Sequence, residues 1–414
     1  MTMNEKKYTV VQNSMFNMIG TLVYYVCQWL MTMAVVRLST DGNIGDLQLS
    51  MTVTNTFYTL SNYNMRAFQI SDLRNEYLPG HYVAVRLLTC GASFVLCVGY
   101  AMLWRYPLRS VLCIALYMIY RLNEAVADVL HAIDQKHARM DHVMVSYTAR
   151  GIMMLLAFIA LIMLTGDLLL AVSAMAVITF AVVLFYDIRC TRRYDSIRPL
   201  FEWRRMKGIL TACFPAMLGT FCFTSIVSIP RQNLGRVMGQ DLLGYYATVA
   251  TPLVFVQVLI NSLMNPTLSV ISQARQDKDH KRLMGLTGRM LLIVFGVGAA
   301  SLAGIAALGR PVMRLLYGEK ILPYISLMYA VIGCTVLYAA SSVGFNLLII
   351  FRKMYTYLFI CAAALAASVT LSTPMIRSFG ANGVSYSVMI AYLFAAVASF
   401  SVVLSQVRGW RKGA

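Results

Sequence analysis

LLLAVSAMAVITFAVVLFY, Leu168–Tyr186, runs nineteen residues without a charge, and DIRCTRRYDSIRPLFEWRRMK, Asp187–Lys207, follows it with seven basic and three acidic side chains. About twenty apolar residues span the hydrocarbon of a bilayer, so the first stretch reads as a membrane helix and the second as a segment lying outside it. The alternation recurs along the chain. Apolar stretches at 10–36, 47–69, 82–104, 109–132, 143–165 and 168–186 precede the charged segment, and 208–230, 242–265, 285–308, 321–349, 354–374 and 382–406 follow it. Hydrophobic residues make up 59% of the chain, charged residues 13%, and the mean hydropathy is +0.67, far from a soluble domain. The expected fold is therefore an all-α integral membrane protein of about twelve helices. It divides into an N-terminal six-helix lobe (1–190), a basic cytoplasmic linker (191–207) and a C-terminal six-helix lobe (208–414).

A formal net charge of +18 suggests nucleic acid until it is laid on the topology. With the N-terminus inside, all but nine of the 35 Lys and Arg fall in tails and loops facing the cytoplasm, the exceptions being Arg37, Arg105, Arg109, Arg231, Arg236, Arg310, Arg314, Lys320 and Arg377. This asymmetry obeys the positive-inside rule, predicts both termini in the cytoplasm and leaves no nucleic-acid partner to expect. Lys6 and Lys7 precede an apolar run too long for a signal peptide, so the first helix is expected to remain as an anchor. The nine cysteines are scattered with no Cys-x-x-Cys, which reads as small core residues. Arg37, Gly45 and Arg86 find counterparts in Arg231, Gly244 and Arg289, roughly 194, 199 and 203 residues on. With six spans per half, such an echo fits a parallel pseudo-repeat about an axis along the membrane normal.

Polar side chains inside the spans carry the functional signal. Thr52, Asn55, Thr59, Asn62, Arg66 and Gln69 recur at steps of three and four, which puts them on one helical face. Asn13, Asn17, Thr21, Tyr24 and Gln28 do the same in the first span. Thr220, Thr224, Ser228 and Arg231 mark the seventh, and Gln257, Asn261 and Asn265 the eighth. The centres of the third, fifth, sixth and eleventh spans look nearly free of such groups. Helices one, two, seven and eight are therefore expected to wall a polar cavity. For any one Asn or Thr the plainer reading is an interhelical hydrogen bond. An arginine in a membrane helix costs about 2.5–3.5 kcal/mol on insertion scales, so it needs a partner, a wet path or a nearby interface.

Arg121, Glu124 and Asp128 fall on one face of the fourth span. The plain reading is a local ion-pair network; the sharper one is a cation or proton site that couples transport to a gradient. His131, Asp134, His137, Asp141 and His142 superficially suit a metal but read better as a solvated loop or interfacial helix, so no metal and no cofactor are expected. Extramembrane segments are short, and no phosphate-cradling loop, His-Glu-x-x-His or Gly-x-Ser-x-Gly occurs. An ATP-driven pump and a loop-based glycosyltransferase or polymerase are thereby disfavoured, and the chain is not expected to be an enzyme. A non-transporting scaffold would be silent to changes in the polar stripes.

Four segments also resemble a known family. NMRAFQISDLRNEYLPGHYVAVRLL (Asn64–Leu88), QKHARMDHVMVSYTARGIMMLL (Gln135–Leu156), IPRQNLGRVMGQDLLGYYATVATP (Ile229–Pro252) and LLYGEKILPY (Leu315–Tyr324) are similar, in order, to bacterial oligosaccharide-lipid flippases. These are the O-antigen and capsule repeat-unit exporters of the multidrug/oligosaccharidyl-lipid/polysaccharide (MOP) superfamily. The resemblance implies two six-helix lobes working by alternating access in the bacterial cytoplasmic (inner) membrane. It implies export of an oligosaccharide on an undecaprenyl-diphosphate-type lipid, with a polysaccharide polymerase or assembly proteins as further partners. Arg37, Arg66, Arg231 and Arg236 are the matching positions for diphosphate and sugar, with Asn17, Gln28, Asn55, Asn62, Gln69 and Asn261 as the amides beside them. Glu124 and Asp128 are the candidates for ion coupling. The first span, with amides and no internal arginine, departs from the most arginine-rich relatives. The rival within the superfamily is a cation-coupled multidrug antiporter, which needs acidic residues where the four wall spans, as drawn, have none.

Overall fold

A computed structural model describes residues 8–72, 76–251, 256–257, 271, 275, 279–351 and 353–412. Apart from short turns and connecting segments, these residues are helical, with no strand among them. Apolar sequence of this length leaves no alternative, because a backbone in hydrocarbon must satisfy its own N–H and C=O groups. The helices are α1 (Val10–Leu38), α2 (Asp41–Asn62), α3 (Met65–Ser71), α4 (Pro79–Leu103), α5 (Leu108–Lys136), α6 (Met140–Thr165), α7 (Leu168–Val182) and α8 (Ile188–Thr191). A π turn, Val183–Asp187, joins α7 to α8. Then come α9 (Trp203–Met238), α10 (Gln240–Ala250), α11 (His280–Tyr317), α12 (Leu327–Ile350), α13 (Met354–Phe379) and α14 (Asn382–Lys412).

Ten of these helical runs are long and apolar enough to cross a membrane. Of the twelve expected spans, the second forms but is too polar to qualify by composition. The eighth, expected over 242–265, includes α10, and most of its remainder lies outside the described residues. The second span also differs from the continuous helix expected over 47–69. It starts earlier, at Asp41, and breaks where Tyr63 and Asn64 both take left-handed backbone conformations (φ 52° and 48°). Arg66 and Gln69 consequently sit on α3, a separate short helix.

The chain clusters into two compact units, Met1–Thr220 and Phe221–Ala414, dividing within α9. In the first unit α5 is the central element, packed against α2, α4 and α7, while α1 lies along α6. The α1–α6 contact is close because small residues face it. A Cβ on Gly20 would stand 2.7 Å from Met144 Cα, and one on Gly151 would meet Tyr24 and Cys27 at 3.3–3.4 Å. Without a hydrophobic drive between helices in lipid, such close backbone approach supplies the packing energy. Gly166 (φ +65°) ends α6, and the Asp167 carboxylate caps α7 by accepting from Leu169 N at 3.0 Å. In the second unit α14 packs on α12 and α13, and α11 on α12. All nine cysteines are buried and free.

Candidate functional site

The N-terminal unit holds a chain of ionised side chains strung along α5, and it is built from the helix period. Arg121, Glu124, Asp128, His131 and Asp134 recur at three- and four-residue steps, so one side of α5 is ionic over several turns. Glu124, 8% exposed, is gripped by Arg121 Nη1 at 2.5 Å and accepts from the Tyr24 hydroxyl of α1. Tyr24 and Tyr120 hydroxyls lie 2.8 Å apart, and Gln28 donates to Tyr120 at 2.5 Å. The Arg121 guanidinium also lies over the Tyr58 ring, 3.7 Å from its centroid.

One turn on, Asp128 bridges two arginines from different helices. Arg66 Nη1 of α3 approaches it at 2.9 Å and Arg86 Nη2 of α4 at 3.2 Å. Arg86 is completely buried, and its other nitrogen donates to Ser61 O at 2.7 Å and Asn62 Oδ1 at 3.0 Å. That contact explains how α2 can stop inside the fold: a carbonyl freed by the break at Tyr63–Asn64 is capped by a guanidinium. Arg66 completes its bonding on Gln135 Oε1 at 2.9 Å, and Gln69 Nε2 donates to Val129 O at 3.2 Å.

Further along, the expectation of a solvated loop or interfacial helix is corrected for His131, Asp134 and His142, while His137 stays exposed and Asp141 partly so. His131 and Asp134 are each 1% exposed and His142 is 9% exposed. The π turn rotates Asp187 inward, so that its Oδ1 lies 3.3 Å from His131 Nε2. Thr191, one turn past it, donates to Asp134 at 3.3 Å. Arg150 of α6, 1% exposed, packs its guanidinium near the rings of Tyr147 and Tyr24, 5.1 and 5.8 Å from their centroids. Ser146 and Arg150, near the start of the fifth span, and Asp187, just past the sixth as drawn, are therefore part of the interior, while the expectation of apolar span centres is untouched. Arg66 and Arg86 thus pair with Asp128 and Arg121 with Glu124, while Asp187 meets His131 and Asp134 meets Thr191, so each of these carboxylates has a partner in the interior. Among the described residues no group of His, Cys, Asp and Glu is arranged to hold a metal ion.

The other expected residues fall in varied surroundings. Gln28, Asn62, Arg66 and Gln69 join the network, with Glu124 and Asp128 at its centre. Asn17, Arg37 and Asn55 are exposed. The α2 hydroxyls are spent on their own helix: Thr54 donates to Ser50 O at 2.7 Å, Thr59 to Thr56 O at 2.7 Å and Ser61 to Tyr58 O at 2.8 Å. The face drawn through Thr52, Asn55 and Thr59 is thus not one surface, since Thr52 and Thr59 are buried. In the C-terminal unit Arg231, half-buried on α9, lies 5.8 Å from the Tyr246 ring centroid, and its Nε has no hydrogen-bond partner among the described residues. Arg236 donates to Asn233 Oδ1 at 3.2 Å, and Asn233 holds Ser372 Oγ at 2.7 Å. Asn261 lies outside the described residues. Asp46 lies outside the second span as drawn (47–69) but inside α2 as it forms, so the helix itself carries acid. Its carboxylate accepts from Ser110 at 2.6 Å.

The family model for polysaccharide biosynthesis proteins matches residues 87–326, more than half of the chain. The chain belongs to the polysaccharide biosynthesis protein family. A relative in Staphylococcus aureus, capsular polysaccharide biosynthesis protein CapF, is 21% identical over 317 residues, covering 75% of this chain and 78% of that protein. This family member superposes on the lipid II flippase MurJ in an inward closed conformation with a TM-score of 0.74, at 12% identity, over 94% of this chain and 87% of MurJ. An inward-facing multidrug resistance MATE family transporter of the MOP superfamily gives 0.69 at 14% identity, over 96% of each chain. The fold of this polysaccharide biosynthesis protein is that of the MOP superfamily.

Proposed function

We propose that the protein flips a polyprenyl-diphosphate-linked oligosaccharide from the cytoplasmic to the outer leaflet by alternating access, with both termini in the cytoplasm of a bacterial inner membrane. The observation that carries this reading is the pairing of a polysaccharide-biosynthesis family match with a transporter fold. Physical chemistry makes the pairing sensible. A sugar chain cannot cross hydrocarbon unaided, because each unpartnered hydroxyl costs on the order of several kcal/mol. Exposed Asn17 and Asn55 offer replacement hydrogen bonds, while Arg37, Arg66, Arg231 and Arg236 supply cationic donors suited to diphosphate oxygens. With the cell interior negative, moving two negative charges outward gains roughly 4–5 kcal/mol at about 100 mV.

Glu124 is the proposed coupling group. Its carboxylate accepts from Arg121 and Tyr24, and Tyr24 leads on through Tyr120 to Gln28, so protonating it would loosen α1 from α5 at one point. The multidrug antiporter gains no support from the described residues. The membrane carboxylates of the network are engaged by arginines, histidines or hydroxyls, which leaves little to attract an organic cation. The test is genetic and biochemical together. Cells lacking the protein should accumulate lipid-linked repeat units and lose surface polysaccharide. The wild-type chain should restore export and Arg66→Gln with Arg231→Gln should not, at equal protein in the membrane. Full restoration by the double variant would remove the arginines from the proposal.

A further inference from the structure

We propose that a groove on the outer face of α4 is a binding site for one anionic phospholipid, its acyl chain in the groove and its phosphate at the arginines that lead into α9. Leu87, Leu88, Gly91, Ala92, Val95 and Leu96 are exposed and recur at four-residue steps, so they form two adjacent rows on one face. Gly91 and Ala92 are small between larger neighbours, which notches the face, and a Cβ added at Gly91 would meet nothing within 4 Å. Two adjoining cavities follow this notch. One, of about 600 Å³, is lined by the six α4 residues. The other, an open depression of about 390 Å³, shares Leu87 and Leu88 with it and is flanked by Phe201, Trp203 and Met206. A single smooth helix facing lipid has no such second wall.

Length and charge identify the occupant. From Leu87 to Leu96 the helix rises about 14 Å at 1.5 Å per residue, close to the roughly 15 Å of one hydrocarbon leaflet. One acyl chain reaching from head-group depth to the midplane fits that distance. At the mouth, Arg198, Arg204, Arg205 and Lys207 are all exposed, against a single exposed acid, Glu202, which lies 3.5 Å from His81 Nε2. Phe201 and Trp203, 68% and 65% exposed, are aromatic side chains of the kind that settle at head-group level. The mouth is fixed in place, not draped over the surface. Leu200 N donates to Gly80 O at 3.0 Å, and a Cβ on Gly80 would sit 2.3 Å from Arg198 O. A basic pocket beside an apolar groove selects a phosphate head without a compensating cation, hence phosphatidylglycerol or cardiolipin over phosphatidylcholine.

Native mass spectrometry of the full-length protein, released from vesicles of phosphatidylglycerol and phosphatidylcholine, tests this directly. Gly91→Phe puts a ring into the groove from a Cβ position that meets nothing within 4 Å, and Arg204→Gln with Arg205→Gln strips the mouth. Wild-type protein should retain one phosphatidylglycerol through delipidation. Each variant should retain it at least threefold less, with unchanged melting temperature. Equal retention by wild type and Gly91→Phe would reduce the groove to ordinary boundary lipid and overturn the site. Displacement of phosphatidylglycerol by equimolar polyprenyl phosphate would overturn the choice of occupant. Neither result bears on whether the protein flips sugar lipids, since no transport is measured.

Discussion

Replacing Asp128 by Asn probes the buried network at its branch point. The carboxylate neutralises Arg66 at 2.9 Å and Arg86 at 3.2 Å, and Asn keeps the shape while removing the charge. Deleting one partner of a buried ion pair costs about 3–5 kcal/mol, because the other charge is left uncompensated. Two features moderate this: the Asp128 side chain is 18% exposed, and Arg86 keeps Ser61 O and Asn62. A loss of about 2–3 kcal/mol is therefore expected for Asp128→Asn, below the full buried-pair penalty. On the soluble-protein scale of about 2–4 °C per kcal/mol for a unit of this size, melting should fall by roughly 4–12 °C. Thermal unfolding of the purified protein in detergent, followed by tryptophan fluorescence, reads this. The double variant Arg86→Met with Asp128→Asn should recover part of the loss, since the stranded cation goes too. An Asp128→Asn protein melting within a degree of wild type would refute the claim that this carboxylate neutralises buried arginine.

Asp187→Asn should be as damaging, by about 3 kcal/mol, because it removes the carboxylate that pairs with buried His131 at 3.3 Å; the same melting assay checks it. Gly20→Ala should separate α1 from α6, since the new methyl would stand 2.7 Å from backbone, with a loss of about 1–3 kcal/mol from overpacking, whereas Gly91→Ala should be neutral. Asp72 lies outside the membrane-spanning helices. Partial burial alone would raise its pKa, but the N–H groups of Tyr77 and Glu76, the Tyr82 hydroxyl and Lys136 outweigh that and hold it below the ordinary carboxylate value. A depressed folded pKa stabilises above the unfolded value and loses that contribution as pH falls through the folded one. Asp72→Asn should thus melt below wild type at pH 6–8, with the gap closing below about pH 4.

The spans were readable because roughly twenty apolar residues between charged connections have one physical meaning in a membrane. Their ends were readable where caps announce them, as at Gly166 and Asp167. The break in the second span was not, because a helical polar period runs straight through Tyr63 and Asn64, and only the Arg86 contact from another helix makes stopping there tolerable. The network shows the same limit. Glu124 and Asp128 stand out in an apolar span, and they are its centre. His131 and Asp134 looked like a wet loop or interfacial helix because their partners, Asp187 and Thr191, lie some fifty residues on, across a π turn that no local signal marked. Arg150 follows Ser146, Tyr147 and Thr148 near the start of the fifth span, where nothing local shows that it is buried. A lone arginine in an apolar span was the available clue, since it must find compensation somewhere.

The central claim is that this chain moves lipid-linked sugar across a bilayer. The most direct measurement places the purified protein in vesicles carrying a fluorescent oligosaccharide on undecaprenyl diphosphate, with an impermeant sugar-cleaving enzyme outside. The account expects inner-leaflet lipid to become cleavable faster than in protein-free vesicles, and more slowly again with Arg66→Gln. Folded protein that gives no acceleration across several repeat-unit structures would contradict it.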